Sequence, residues 1–151
     1  MICRLAHLCF VTDQLDVMKH FYHQTLGLPL KIRFQNKDGQ TFGYYFDCGD
    51  SSFIEIFDRT LMHKQWGTGE LTPRVAGNQY RHFCFETTGL ADLRTKLIAQ
   101  GLPVTELRRG MDRSWQAWIK DPDGNDIEMM EYTAESLQIR NTNPTEPSLA
   151  T

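Results

Sequence analysis

The chain repeats itself. His7-Leu-Cys-Phe10 recurs as His82-Phe-Cys-Phe85, Leu26-Gly-Leu-Pro-Leu30 as Gln100-Gly-Leu-Pro-Val104, and Phe53-Ile-Glu-Ile56 as Asp126-Ile-Glu-Met129. Three matches in the same order at a nearly constant offset mark two copies of one structural unit. The first copy covers about residues 2–58 and the second about 79–132. A polar, glycine-containing linker over 59–78 joins them, with room for about one helical turn, and a short tail follows over 133–151. A unit this small buries too little apolar surface to stand alone, so the two copies are expected to pack together, within one chain or between two. At 151 residues the whole chain is expected to be one domain.

Each copy reads strand, helix, strand, strand, strand. Residues 2–11 alternate and are rich in apolar types, as a strand requires. Asp13 is placed to cap a helix whose Leu15, Met18, Phe21, Tyr22 and Leu26 recur at helical spacing, and Gly27 supplies the stop. Runs at 28–35, 41–48 and 52–57 then read as strands. The second copy follows suit: a strand over 80–86, a helix carrying Leu90, Leu93, Leu97 and Ile98, then strands near 103–108, 114–120 and 126–132. Asp121-Pro-Asp-Gly124 is a tight-turn signal between the last two. The expected fold class is α+β: two tandem βαβββ modules forming curved mixed sheets, each with a helix on its outer face.

The chemistry sits in the repeated tetrapeptides. His7 and His82 occupy equivalent places in the first strands, and Glu55 and Glu128 in the last. Alternation places Leu5, His7 and Cys9 on one strand face, and Glu55 beside Phe53 and Phe57. An ionised carboxylate among aromatics is costly unless it is paired or binds a metal. Two imidazole nitrogens and two carboxylate oxygens suit one borderline divalent ion, Zn, Ni, Co, Mn or Fe. Glu131 competes with Glu128, but the two fall on opposite faces of a strand, and the match of Ile54-Glu55 to Ile127-Glu128 selects Glu128. Cys9 and Cys84 share the histidines' face and read as small apolar packing.

Charge and cysteine usage narrow the partners. Sixteen basic and 19 acidic residues give a formal net charge of -3, which argues against a nucleic acid or anionic membrane partner. No apolar run approaches the ~20 residues of a membrane helix. Arg4 and His7 interrupt the apolar start, so no secretory signal is expected. Four unpaired-looking cysteines fit reduced thiols in the cytoplasm.

Taken together, Leu5-Ala-His7, the Phe21-Tyr22 to Leu26-Gly27-Leu28 helix end, Phe53-Ile-Glu55, His82-Phe-Cys-Phe85 and Asp121-Pro-Asp-Gly124 with Ile127-Glu128 resemble the vicinal oxygen chelate superfamily, close to glyoxalase I and related lyases. The resemblance spans residues 2–132. It implies that His7, Glu55, His82 and Glu128 hold one divalent metal ion per site and that the protein is a homodimer acting on a small molecule. It also implies proton chemistry on a metal-chelated vicinal-oxygen substrate, with Glu55 or Glu128 as the base, hence a lyase or isomerase. Extradiol-type dioxygenases of this superfamily leave the second ligand position free, so Glu55 counts against that alternative. Non-catalytic binding or resistance proteins of the same fold commonly lack the ligands retained here. Glutathione-using relatives carry Arg and Asn where this chain has Val11 and Arg59, which argues against a glutathione adduct. Arg59 is expected to meet an anionic group, and Tyr44 and Trp115 to wall the substrate cleft.

Overall fold

The computed structural model describes residues 5–67, 71 and 81–139. The chain divides into two compact units, 1–78 and 79–151, each built on one four-stranded sheet.

In the first unit, β1 (His7–Thr12) leads into α1 (Leu15–Lys19), which continues as a π-helical segment over His20–Thr25. Then come β2 (Leu30–Gln35), β3 (Thr41–Asp47), β4 (Phe53–Asp58) and α2 (Arg59–Trp66). The sheet order is β1-β4-β3-β2. β1 and β4 are parallel, and the other pairs antiparallel. The parallel pair needs a crossover, and the helical segment provides it. Its apolar stripe is buried at Leu15, Met18, Phe21 and Tyr22, against the sheet face carrying Tyr44, Phe46, Ile54 and Ile56. Full burial of each such side chain contributes about 1.5–3 kcal/mol.

Asp13 is not the cap. Gln14 holds that position without a side-chain cap bond, and its N–H donates to Thr12 Oγ1 at 3.0 Å. Asp13 instead accepts from Arg59 Nε at 2.8 Å. Gly27, at φ +76, turns the chain out of the helical segment, with the Leu28 N–H donating back to the Tyr22 carbonyl at 3.0 Å. The linker is more helical than its composition implies: α2 runs for eight residues, because Asp58 caps it by accepting from the Leu61 N–H at 2.8 Å.

The second unit repeats the plan with β5 (Phe83–Glu86), α3 (Leu90–Ala99), β6 (Arg108–Arg109), β7 (Trp115–Lys120) and β8 (Asp126–Glu131) in the order β5-β8-β7-β6. Glu131 caps α3, accepting the N–H groups of Gly89 and Leu90, each at 2.9 Å. The strand expected over 103–108 shrinks to two residues. Pro103 has no N–H to offer a ladder. Thr105 ties the segment to β7 in a non-ladder way: its N–H donates to the Trp118 carbonyl at 3.0 Å, while its hydroxyl accepts from the Trp118 N–H at 2.9 Å. The Asp121-Pro-Asp-Gly124 turn forms as expected, its Asp121 carboxylate accepting from the N–H groups of Asp123 and Asn125. Among the described residues no helix is long and apolar enough to cross a membrane.

Candidate metal centre

The duplicated motifs build the same small cluster in each unit. In the first, β1 lies parallel to β4 with His7 opposite Phe53 and Cys9 opposite Glu55. His7 Nε2 stands 3.8 Å from Glu55 Oε2. On the other side of Glu55, β3 places Tyr45, whose hydroxyl lies 3.4 Å from His7 Nδ1.

In the second unit, Cys84 faces Glu128 in the same register, and His82, just before β5, has Nε2 3.2 Å from Glu128 Oε2. Here β7 places Trp118 opposite Glu128, its ring meeting the His82 ring edge-on at 4.7 Å. Trp118 thus takes the place that Tyr45 has in the first unit.

These surroundings set the electrostatics. Glu128 is 8% exposed, and burial pushes its carboxyl above the ordinary range, against the pull of His82. His82 Nδ1 is buried with no hydrogen-bond partner among the described residues. The Cys9 thiol is pushed up to about 12, first by burial and then by Glu55. Cys84 rises to about 12 for the same reason, with Glu128 adding to burial. Both stay neutral thiols near neutral pH and are poor nucleophiles.

Each unit therefore presents one imidazole and one carboxylate within 4 Å, the smaller spacing beside a desolvated carboxylate. Among the described residues no group of three or more His, Cys, Asp or Glu side chains is arranged to hold a metal ion. Two donors do not complete the coordination of a divalent cation. The donor types nevertheless fit one. Neutral imidazole and carboxylate are ligands of the borderline divalent metals, and the buried Glu128 carboxylate lies beside an imidazole whose Nδ1 has no hydrogen-bond partner among the described residues.

The remaining residues singled out in the sequence fall elsewhere. Tyr44 is 5% exposed and pairs with Ile56, on the helix-covered face and opposite to Glu55. Trp115 pairs with Glu131, again on the opposite face from Glu128, with Arg109 above its ring at 5.6 Å. Arg59 opens α2 and is ion-paired with Asp13. Sequence reasoning passed over Tyr45 and Trp118, which do flank the glutamates. Strand alternation carries the signal for both, once the cross-strand partner of each glutamate is known.

Residues 4–129 match the family described as Glyoxalase/Bleomycin resistance protein/Dioxygenase superfamily. Among solved structures, the chain is similar to a lactoylglutathione lyase from Agrobacterium tumefaciens at 26% identity, with 85% of this chain and 92% of that one covered and a TM-score of 0.63. It is also similar to a glyoxalase family protein from Enterococcus faecalis, at 22% identity over 85% of this chain and 97% of that one, with a TM-score of 0.62. The antibiotic binding protein TnmS3 from a Streptomyces species has 20% identity over 87% of this chain and 98% of its own, with a TM-score of 0.65. The latter two show the fold alone. None of the curated proteins matches the sequence.

Proposed function

The chain belongs to the Glyoxalase/Bleomycin resistance protein/Dioxygenase superfamily, and on that premise we propose that it is a divalent-metal-dependent lyase or isomerase of the glyoxalase I type, moving a proton on a small molecule that carries vicinal oxygens. The observation that carries this reading is the duplicated His–Glu pair, His7 with Glu55 and His82 with Glu128, set at one register in both sheets. His7, Glu55, His82 and Glu128 would hold the metal. The pairs come from one chain or from two copies of it, as a homodimer. A divalent ion bound there supplies Lewis-acid stabilisation of the negative charge that develops on neighbouring oxygens when a C–H proton leaves.

The chain's own groups handle the proton. Glu128 is the proposed acceptor: burial raises its carboxyl above the ordinary range, and His82 Nε2 at 3.2 Å stabilises it while ionised. Glu55 is the proposed second proton carrier, in a mirrored setting with Tyr45 beside its imidazole partner. Tyr45 and Trp118 set ring surface beside the two imidazoles, with ring centroids 5.7 Å from His7 and 4.7 Å from His82. The retained carboxylate at residue 55 favours proton chemistry over an extradiol-type dioxygenase. A cytoplasmic location is supported by the free thiols of Cys9, Cys48 and Cys84.

The test is proton exchange. Metal-loaded protein in deuterated water is offered small α-hydroxycarbonyl compounds, sugar derivatives and methylglyoxal adducts, with the carbon-bound proton followed by NMR. Wild type is expected to exchange it. Glu128→Gln or Glu55→Gln is expected to retain metal while losing about 10²-fold or more in rate. Oxygen uptake with catechols and no exchange would point instead to ring cleavage, and tight binding with neither reaction to a sequestering protein. Light scattering is expected to give a dimer, and a concentration-independent monomer would contradict that part.

A further inference from the structure

The second unit carries a cavity that the paired donors do not explain. Where β6 frays, a hollow of about 430 Å³ opens beside β7, lined by Thr105, Glu106, Arg108, Arg109, Gln116 and Trp118. Its charged groups are not equivalent. Glu106 is occupied by Arg94 at 2.8 Å. The Arg109 guanidinium is already engaged: it donates to the Arg113 carbonyl at 2.8 Å, pairs with Glu135 and lies over the Trp115 ring. Arg108 has no hydrogen-bond or ion-pair partner for its guanidinium among the described residues.

Register fixes which face Arg108 shares. Arg108 pairs with Gln116, Gln116 with Met130, and Trp118, two residues on, with Glu128. Cross-strand partners project to the same side of a sheet. Arg108, Gln116 and Trp118 therefore lie on the face that carries Glu128, with Trp118 between the cavity and the His82–Glu128 pair. Strand spacing and rise put the Arg108 and Glu128 Cα atoms roughly 12 Å apart. Gln116 is held in place: its Nε2 donates to Asp112 Oδ1 at 3.2 Å, and Asp112 is itself fixed by the Ser114 N–H and by Gln138. Gly110 leaves room for this arrangement, since a Cβ there would fall 2.3 Å from Gln116 Nε2.

We propose that this cavity is a specificity subsite for an oxyanion, carboxylate or phosphate, carried at the far end of a flat substrate body. Arg108 pairs with the anion, Gln116 is the fixed polar wall beside it, and the Trp118 indole supports the body that links it to the reacting end. An unpartnered guanidinium in a concave site makes charge-assisted, often bidentate bonds to such groups, and a planar body stacks on an indole. The assignment rests on the proposed reading that the His82–Glu128 face is where substrate reacts.

The test separates the two. The intact chain, in EDTA, is titrated with hippurate as the carboxylate probe, phenyl phosphate as the phosphate probe and benzamide as the neutral probe, while the Trp118 indole N–H resonance, assigned with Trp118→Phe, is followed by NMR. At least one anionic probe is expected to shift that resonance saturably and to bind about tenfold more tightly than benzamide. Whichever of hippurate and phenyl phosphate binds more tightly identifies the oxyanion. Arg108→Gln is expected to weaken the anionic probe about tenfold and leave benzamide unchanged. Equal binding of anionic and neutral probes, no shift with either anion, or an Arg108→Gln variant that binds as wild type overturns the subsite. Metal content is read on parallel samples without EDTA. Absent metal with intact Arg108-dependent binding would remove the proposed function and keep the subsite, and the reverse would remove the subsite alone.

Discussion

Gly43→Ala tests how the first sheet closes over its aromatic layer. Gly43 lies opposite Phe57 across the β3–β4 ladder. A Cβ at residue 43 would fall 2.1 Å from Phe57 Cδ1, 2.4 Å from its Cε1 and 3.0 Å from the Ile56 carbonyl oxygen. Ordinary carbon contacts are about 3.5–4.0 Å, so the ring must retreat by more than an ångström. It has little room to do so. Phe57 is 4% exposed, stacked on Phe42 at 5.7 Å and edge-on to Trp66 at 5.2 Å, with Phe34 also at 5.2 Å. Overpacking of this kind costs about 1–3 kcal/mol, and replacing glycine in a strand returns about 0.5–1 kcal/mol of backbone entropy. A contact as short as 2.1 Å puts the overpacking at the upper end of that range, so the net expectation is a loss of about 1–2 kcal/mol, or roughly 2–8 °C in Tm for a chain of this size. Urea unfolding followed by circular dichroism measures it. In a Phe57→Leu background the ring atoms at fault are gone, so the same substitution is expected to cost measurably less. A Gly43→Ala protein as stable as wild type, or an unchanged cost in the Phe57→Leu background, would refute the steric account.

Other outcomes follow from the second unit. Glu131→Ala is expected to cost about 1 kcal/mol by removing the cap of α3. The N–H groups of Leu90 and Gly89 hold the Glu131 carboxyl below the ordinary range. The lowered folded value means that the cap's contribution is complete above the unfolded pKa of about 4.3 and fades as pH falls through the folded one, so the difference between wild type and variant should shrink on acidification below about pH 4. A difference that grew on acidification would contradict this. Ser136→Ala breaks a fully buried hydroxyl pair with Ser114 at 2.8 Å and a bond from the Thr133 N–H at 2.8 Å. It is expected to cost about 1–3 kcal/mol in urea unfolding, and the Ser114→Ala/Ser136→Ala pair less than the sum of the two singles.

What could be read in the sequence was whatever a local pattern or the repeat encodes. The duplicated His–Glu motifs located both donor pairs, and alternation separated Glu128 from Glu131, which the fold then uses as a helix cap. What stayed hidden depends on contacts between segments distant in the chain. Tyr44 and Tyr45 are adjacent, and only the pairing of Tyr45 with Glu55 decides which one shares the glutamate's face. Trp115 and Trp118 sit in one strand, and again the partner, Glu131 or Glu128, decides. Asp13 looked like a cap because its ion-pair partner Arg59 lies on another element. The segment before Arg108 has a strand-like composition, but Pro103 and the Thr105 side chain divert its bonding, and the cavity exists because of that.

Metal content measures most directly whether the two His–Glu pairs serve one divalent ion. Protein purified without added metal and analysed by elemental mass spectrometry is expected to carry close to one divalent ion per chain, and the His7→Ala/His82→Ala double variant to lose most of it while keeping the wild-type circular dichroism spectrum. A wild-type protein that takes up no divalent metal, or a double variant that keeps a full equivalent, would contradict the assignment.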